Sequence, residues 1–372
     1  MCSSDLRLSV GSWQFEDGGL AEIRSKIINK RPMLKDVYGA PKSGVKTGRT
    51  EVFCLPSAEA RAIFKSEPNS QGFFHDYLRG DDIERWCPEP SAMTMLVIPN
   101  GWTRGNLLSG KRIETGESFK IFSLKYPILS SYLHSKKEQA ETRSDQGEYW
   151  WELRPCDYYD KLDGIKMIYP EMSQGPKFCI DKIGSYINNK CFFMDLDYGL
   201  LGYLNSKLFW FWAFGEVSPL RGGKWRLELR EQHMSVAPVP FTERSELDLI
   251  ASLAEMAAGF ACDKQNLSSS FHHRLLTDLA VPETKLSRKL KDFHTLDFSE
   301  FRAEVKKALK ADIPVKERAD WESQFNTSKA EVNRLAAEIT VVEREIDRLV
   351  YDAFELAPDE IALLEKSLEG QF

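Results

Sequence analysis

Long apolar runs and metal-binding cysteine patterns are both missing from this sequence. The longest apolar run, Leu208–Phe214, has seven residues, against the roughly 20 that a membrane-spanning helix needs. No charged-then-apolar signal segment opens the chain. The seven cysteines form no C-x-x-C pair and stand at no zinc-site spacing with the six histidines. We therefore expect a soluble, cytoplasmic chain with free thiols and no bound metal.

Two sets of catalytic motifs are missing as well. There is no Walker-type phosphate loop. An adenine methyltransferase needs a Gly-rich loop that approaches S-adenosylmethionine and an Asn/Asp-Pro-Pro-aromatic tetrad that holds the flipped base. Neither motif is present. The sequence therefore predicts no catalytic residue and no cofactor-binding residue in this chain.

Two weaker patterns also favour structural roles. Asp297 with Glu304-Val305-Lys306 has the residue types of a metal-dependent nuclease, but apolar residues recur there every four positions. That period is typical of a helix whose charged residues face solvent. His272-His273 stands in a Ser-rich stretch without a cysteine or carboxylate at ligand spacing, which favours a surface pair in a loop.

The composition is that of a folded globular protein, with 42% hydrophobic, 28% charged and 12% aromatic residues. The net charge of -6 argues against a protein that coats polyanions generally. Positions 1–240 carry 32 basic and 30 acidic residues, whereas positions 241–372 carry 18 and 26. The acidity is therefore concentrated in the C-terminal third, and a DNA-binding face on the first part is allowed.

The pattern over residues 7–240 is that of a mixed α/β region. Short apolar runs bounded by turn-forming residues predict strands at Glu51–Leu55, Thr94–Ile98, Lys166–Tyr169 and Cys191–Met194. Helices are predicted at Gly19–Ile28 and Tyr198–Phe214, with Asn205-Ser206-Lys207 ending or bending the second one.

Pro238-Val239-Pro240 interrupts the mixed pattern, and residues 241–372 after it are predicted to form a helical region. The predicted fold class is therefore α+β, with two domains. An amphipathic helix begins near Leu247, and residues 262–315 look less regular. A long helix at about 317–353 carries apolar residues at spacings 3-4-3-4-3: Val332, Leu335, Ile339, Val342, Ile346 and Leu349. Because the repeat spans fewer than three heptads, we expect this helix to pack on its own domain and not to form a dimerisation zipper. Residues 1–6 resemble a translated sequencing-adapter tail, and we expect them to be an artefact.

Several short segments, in order from about Trp13 to the end, resemble a known family. They include Gly44–Phe53 (GVKTGRTEVF), Tyr77–Trp86 (YLRGDDIERW) and Arg221–Arg226 (RGGKWR). They are similar to segments of the TaqI-type C-terminal specificity domain of adenine-specific DNA methyltransferases and single-chain restriction-modification enzymes. The chain departs from the family pattern where Thr50 or Glu51 replaces the usual Asn and Val52 the frequent Ala.

The resemblance implies that this chain is the target recognition part of a site-specific, adenine-specific DNA methyltransferase or of a fused enzyme that also carries an endonuclease. Its partners would be double-stranded DNA and a methyltransferase domain of the same polypeptide, which would bind S-adenosylmethionine. The chain alone would then be a fragment without methyltransferase activity. Two alternatives stay open: a stand-alone specificity subunit that recruits a separate methyltransferase through the heptad helix, and a protein-interaction module without DNA binding.

Ten residues are candidates for DNA contact. In the first loop the glycines permit close backbone approach, and the basic and hydroxyl side chains can bind phosphates; a plain hairpin turn is the alternative. In the second segment the helical spacing of Asp82 and Arg85 favours a structural ion pair as much as a DNA contact. The third is a Gly-containing basic loop suited to a groove. The candidates are Lys42, Lys46, Thr47, Arg49, Arg79, Arg85, Arg221, Lys224, Trp225 and Arg226.

Overall fold

Ten strands and sixteen α-helices make up an α+β fold, as predicted, in the part of the chain that the computed structural model describes: residues 18–217, 226–240, 244–281 and 286–369. The strands are β1 (Lys42–Ser43), β2 (Cys54–Pro56), β3 (Phe74–Leu78), β4 (Met93–Leu96), β5 (Lys166–Pro170), β6 (Met172–Ser173), β7 (Cys179–Asp181), β8 (Tyr186–Ile187), β9 (Cys191–Asp195) and β10 (Leu227–Glu228).

The helices are α1 (Gly18–Ile28), α2 (Leu34–Tyr38), α3 (Thr50–Phe53), α4 (Ser57–Ser66), α5 (Trp102–Leu107), α6 (Thr115–Lys125), α7 (Pro127–Ser135), α8 (Lys137–Glu141), α9 (Tyr198–Leu204), α10 (Lys207–Glu216), α11 (Glu231–Ser235), α12 (Arg244–Asp278), α13 (Arg288–Lys291), α14 (Phe298–Leu309), α15 (Arg318–Ala353) and α16 (Pro358–Leu368). Short 3-10 helices lie at Pro68–Phe73, Gly80–Asp82, Tyr159–Leu162, Phe293–Thr295 and Val315–Glu317. None of the described helices combines the length and apolar character needed to cross a bilayer.

One antiparallel sheet, in the order β1-β9-β5-β7, lies between two hydrophobic cores. In β5 every residue is buried. Met167 and Tyr169 belong to one core and Ile168 to the other, because successive side chains of a strand point to opposite faces. A second sheet, β2-β4-β3-β8, ends in a parallel β3–β8 pair, and β10 pairs with β6.

The two longest helices pack lengthwise against each other. Ile250 of α12 shares a core with Ile346 of α15, and Phe271 of α12 shares another with Phe325 of α15. The helices are therefore antiparallel. Five of the six heptad residues of α15 lie in or against these two cores, and the sixth, Leu335, is also buried, so the repeat forms an intramolecular seam.

Helix α12 also packs against α9, through a glycine. A Cβ on Gly202 would lie 2.6 Å from Ile250 Cγ2, so only glycine permits this close approach. One core consequently contains residues from both sides of position 240. The predicted division into 7–240 and 241–372 thus separates two stretches of sequence that bury apolar surface together.

The break between α9 and α10 confirms the structural role predicted for Asn205-Ser206. Asn205 Nδ2 donates to the Phe178 carbonyl over 2.9 Å, and Ser206 Oγ accepts from the Phe209 amide over 3.2 Å. The serine therefore caps α10. The single helix predicted over Tyr198–Phe214 is accordingly two.

Two local predictions were wrong and a third was confirmed. Thr50–Phe53 is helical and only Cys54–Pro56 is a strand; the tertiary contacts of the buried Val52 and Phe53 override the strand propensity of this run. Residues 262–278 continue α12, so His272-His273 lies in a helix and not in a loop; His272 Nε2 contacts the Leu290 carbonyl at 2.9 Å. The solvated-helix interpretation of Glu304–Lys306 is confirmed by α14, whose Phe301 and Val305 are buried.

Candidate nucleic-acid interface

The loop after β1 is fixed by backbone contacts to neighbouring strands. The Gly44 amide donates to Cys191 O over 2.9 Å and the Val45 amide to Ile187 O over 2.8 Å. A Cβ on Gly44 would lie 2.3 Å from the carbonyl oxygens of Ile187 and Asn188, so no other residue fits without a shift of backbone. Gly48, with φ of +72°, closes the loop in the left-handed region. The alternative of a plain hairpin turn is wrong, because α3 follows directly.

The far end of this loop is held by the buried guanidinium of Arg143. It donates to the carbonyls of Thr47 (2.9 Å), Trp150 (2.7 Å) and Glu152 (2.8 Å) and lies 4.3 Å from the centre of the Phe53 ring. Burial lowers the pKa of Arg143 to about 10. Thr47 itself is buried, so the loop presents Lys46 and Arg49, both about half exposed.

A second segment brings further cations to the same loop. Arg154 lies 3.8 Å and Lys46 2.9 Å from the Asp145 carboxylate, so two positive charges share one negative charge. Arg49 lies 3.8 Å from Glu51. The Lys42 ammonium lies 5.6 Å from the centre of the Tyr158 ring, and partial burial, followed by Lys161, lowers the pKa of Lys42. Residues 42–49 and 154–161 therefore meet, and we refer to them together as the basic face.

A buried ion pair fixes the end of the second segment. Lys166 Nζ lies 2.6 Å from Asp181 Oδ2, with both side chains almost wholly buried, and also donates to the carbonyls of Leu162 (2.6 Å) and Gly164 (3.3 Å). Burial lowers the pKa of Lys166, and Asp181 opposes that shift. Sequence reasoning did not select Arg154, Tyr158 or Lys161, because only the pairing of β5 with β7 and β9 brings their segment to β1.

The second predicted segment is arranged differently from the first. Arg79 Nε lies 3.2 Å from Asp82 Oδ2, whereas Arg85 Nη1 lies 2.8 Å from Glu343 on α15 and donates to the Asn205 carbonyl. The predicted Asp82–Arg85 ion pair is therefore wrong. The 3-10 helix ends at Asp82 and the chain continues extended, so Arg85 does not follow one helical turn later. Burial lowers the pKa of Arg85, and Glu343 and Asp347 oppose that shift.

The third predicted segment falls mostly outside the described residues. Arg221, Lys224 and Trp225 are not among them. Arg226 is described; its side chain is exposed, and it directly precedes β10. Its role as a DNA contact stays a prediction.

Two observations bear on whether the described residues could hold a cofactor or a metal ion. The loop most like a cofactor loop, Gly44–Gly48, is closed by its own chain, because the space beside Gly44 is filled by the backbone of Ile187 and Asn188. It does not fit S-adenosylmethionine. The described part of the chain also contains no group of three His, Cys, Asp or Glu residues that could hold a metal ion.

Comparison with known proteins gives one sequence family and several similar solved structures, two of which are described below. A domain of unknown function (DUF8810) matches residues 242–350, and no curated protein matches the chain. The chain is similar to the Type IIL restriction-modification enzyme MmeI in complex with DNA, at 11% identity and a TM-score of 0.43, over 89% of this chain and 35% of that one. It is also similar to the type IIG restriction endonuclease BpuSI, at 11% identity and a TM-score of 0.38, over 86% of this chain and 33% of that one. The chain thus spans about a third of the length of these structures.

Proposed function

We propose that this chain is the DNA recognition part of an adenine-specific DNA methyltransferase or of a fused restriction-modification enzyme. The observation that carries the proposal is the basic face, in which cations from residues 42–49 and 154–161 meet on a rigid loop. The class of enzyme is suggested by the ordered sequence segments, above all Gly44–Phe53 and Tyr77–Trp86.

In this proposal the basic face binds the DNA backbone. Lys42, Lys46 and Arg49 contact phosphates and fix the register of the protein on the duplex, since most protein–DNA hydrogen bonds go to the backbone. Base edges in the major groove are contacted by residues 221–226, where Arg226 is exposed. A rigid loop favours recognition because little conformational entropy is lost on binding.

Methyl transfer, and cleavage if the enzyme cuts DNA, belong in this proposal to the methyltransferase domain and the rest of the enzyme. The target adenine would rotate out of the duplex into that domain, which would bind S-adenosylmethionine. This chain contributes affinity and position on the DNA, and no group that makes or breaks a bond is assigned to it. The heptad seam of α15 is packed against α12. A chain that recruits a separate methyltransferase would therefore have to bind it through another surface.

The test is DNA binding by the chain as a function of salt. Fluorescence anisotropy with labelled duplexes between about 50 and 200 mM NaCl should show affinity that falls steeply with salt, because bound phosphates release counterions. The triple variant K42A/K46A/R49A should bind at least about tenfold more weakly, with a salt slope lower by roughly 2–3.

The matched control removes three cations away from the basic face. Lys289, Lys306 and Lys307 are exposed on α13 and α14, and K289A/K306A/K307A should leave binding within about twofold of the original affinity. Equal losses in both triple variants would show non-specific attraction. No binding at 50 mM salt would reject the proposal and favour a protein-interaction module.

A further inference from the structure

One acid connects the two segments of the basic face. Asp145 Oδ2 lies 2.9 Å from Lys46 Nζ, and Asp145 Oδ1 lies 3.8 Å from Arg154 Nη1. Each carboxylate oxygen therefore has its own cation, and the two cations come from different segments. The Asp145 side chain is 18% exposed, against 51% for Lys46 and 38% for Arg154. The carboxylate thus lies deeper in the protein than the two cations, which remain accessible to a ligand.

Asp145 is held in place by its neighbours along the chain and by the loop that it faces. Arg143, two positions earlier, donates to the Thr47 carbonyl over 2.9 Å, and Gln146 Nε2 donates to the Arg143 carbonyl over 2.8 Å. A Cβ on Gly48 would lie 3.4 Å from Asp145 Cβ, so the acid also packs against the end of the loop. The carboxylate therefore has a fixed position, and the longer cationic side chains are the groups that can move.

The two ion pairs are weak enough to exchange partners. Pairs between side chains with this degree of exposure contribute little free energy, since water and salt screen them. A phosphate that approaches the basic face competes with the Asp145 carboxylate for the same ammonium group, and the two negative charges also repel each other. Both effects lower the affinity of the basic face for any DNA backbone, whatever its base sequence.

We propose that Asp145 limits the affinity of the basic face for the DNA backbone, by competing with phosphate for Lys46 and Arg154. This inference rests on the proposed function and deepens it, because it assigns a role to an acid that lies among the proposed phosphate contacts. Phosphate contacts carry no information about base sequence. A residue that weakens backbone contacts alone therefore raises the share of the affinity that contacts to bases supply.

The experiment measures duplex binding by D145N, which removes the charge and keeps the shape of the side chain. Fluorescence anisotropy at about 50 mM NaCl should show binding about three- to fivefold tighter than that of the unchanged chain. The gain should be similar for duplexes of unrelated sequence, and it should shrink at about 200 mM NaCl because salt screens the repulsion that was removed.

Two controls separate competition at the cations from a change in net charge. Asp157 is exposed in the same segment as Arg154, and D157N changes the net charge of the chain by the same amount as D145N. It should alter binding by less than about twofold. In a K46A/R154A background D145N should also have less than about a twofold effect, because the two cations for which the carboxylate competes are gone.

The outcomes distinguish this role from the proposed function. Salt-dependent binding by the unchanged chain, with equal or weaker binding by D145N, would show that Asp145 only holds the loop in place; the inference would be overturned and the proposed function would stand. Equal gains in D145N and D157N would overturn it as well, because net charge alone would account for them. Absence of duplex binding by both the unchanged chain and D145N would reject the proposed function, and this inference with it. A thermal unfolding midpoint close to that of the unchanged chain shows that D145N is folded, and D145S, which also lacks the charge, replaces it if it is not.

Discussion

The indole Nε1 of Trp86 donates to the carboxylate of Glu343 over 2.6 Å. The same carboxylate oxygen lies 2.8 Å from Arg85 Nη1, so the last two residues of the Tyr77–Trp86 segment converge on one acid of α15. This acid joins the strand-containing part of the chain to the long helix. Both Arg85 and Trp86 therefore have a structural role in the fold, whether or not the chain binds DNA.

Replacement of Glu343 by alanine should destabilise the fold. The change removes the carboxylate paired with the partly buried Arg85 guanidinium, for which Asp347 then remains as an acidic neighbour, and it leaves the Trp86 N–H without its acceptor. Since Arg85 retains some exposure, we expect a loss of about 1–3 kcal/mol in the free energy of unfolding, measured by urea titration. E343Q retains an acceptor and should lose less than E343A. A change below about 0.5 kcal/mol in E343A would show that the pair contributes little.

Asp347, one turn further along α15, should make stability depend on pH. Burial raises its pKa from 3.8 to about 6, against the opposing effects of the Lys207 amide, Arg85 and Lys207. A folded-state pKa above the unfolded value means that the folded protein binds more protons between about pH 4 and 6. Stability contributed by the neutral carboxyl is therefore present below pH 4 and lost as the pH rises through 6.

D347N should abolish that pH dependence and raise stability at pH 7 by on the order of 1–3 kcal/mol. The amide oxygen of asparagine can still accept from the Lys207 amide, which lies 2.8 Å from Asp347 Oδ1. Urea unfolding at pH 4, 6 and 7.5 measures both effects, with the exposed D352N as the control. Parallel stability profiles of D347N and the unchanged chain across this range would contradict the assignment.

The long helix and the strands β4, β5 and β9 could be predicted because their signals are local. Apolar residues of α15 recur three and four positions apart, which indicates a helix with one buried face. The runs that form β4, β5 and β9 have strand propensity and are bounded by turn-forming residues. Thr50–Phe53 could not be predicted, since Val52-Phe53 suits either a strand or a helix. The Arg143 guanidinium over the Phe53 ring, contributed from 90 positions away, is part of what decides it.

Only one of the two segments of the basic face, residues 42–49, could be predicted from the sequence. Lys42, Lys46 and Arg49 were found because their loop has a recognisable motif. Arg154 and Lys161 stand in a stretch without one, and they reach the loop through the strand pairing. Arg85 was predicted as a candidate DNA contact, and the structure places it against Glu343; no property of its neighbours in sequence specifies a partner 258 positions away.

Among the six cysteines that the structure describes, Cys262 should be the first to react. The Cys87 thiol and, to a smaller extent, the nearby Lys182 lower the pKa of Cys262 to about 7. The thiolate is the reactive form, so limiting iodoacetamide at pH 7 should label Cys262 before the similarly part-exposed Cys156, as read by peptide mass spectrometry. C87S should slow labelling of Cys262. Faster labelling of Cys156 would contradict the prediction.

An oxidising disulfide should cross-link the same two cysteines. The Cys262 thiolate would attack a sulfur of oxidised glutathione and release one glutathione thiolate. The Cys87 thiol would then displace the second glutathione and lose its proton to solvent. The expected product is an intramolecular Cys87–Cys262 disulfide, two mass units lighter than the reduced chain. A stable mixed disulfide at Cys262 would show that the two sulfurs cannot reach bonding geometry.

Gly44 should tolerate no side chain, although it stands in an accessible loop. A Cβ there would lie 2.3 Å from two backbone carbonyl oxygens of the β8 segment, which cannot move without breaking the Val45–Ile187 hydrogen bond of 2.8 Å. We expect G44A to lose about 2–4 kcal/mol of stability and to weaken DNA binding, because the basic side chains that follow lose their fixed position. Gly105 is the matched control: it lies inside α5 with open space around it, so G105A should raise stability by about 0.5–1 kcal/mol. Urea unfolding of both variants, with anisotropy titrations on the same preparations, checks the pair; a G44A protein as stable as the original would show that the loop is not held by this approach.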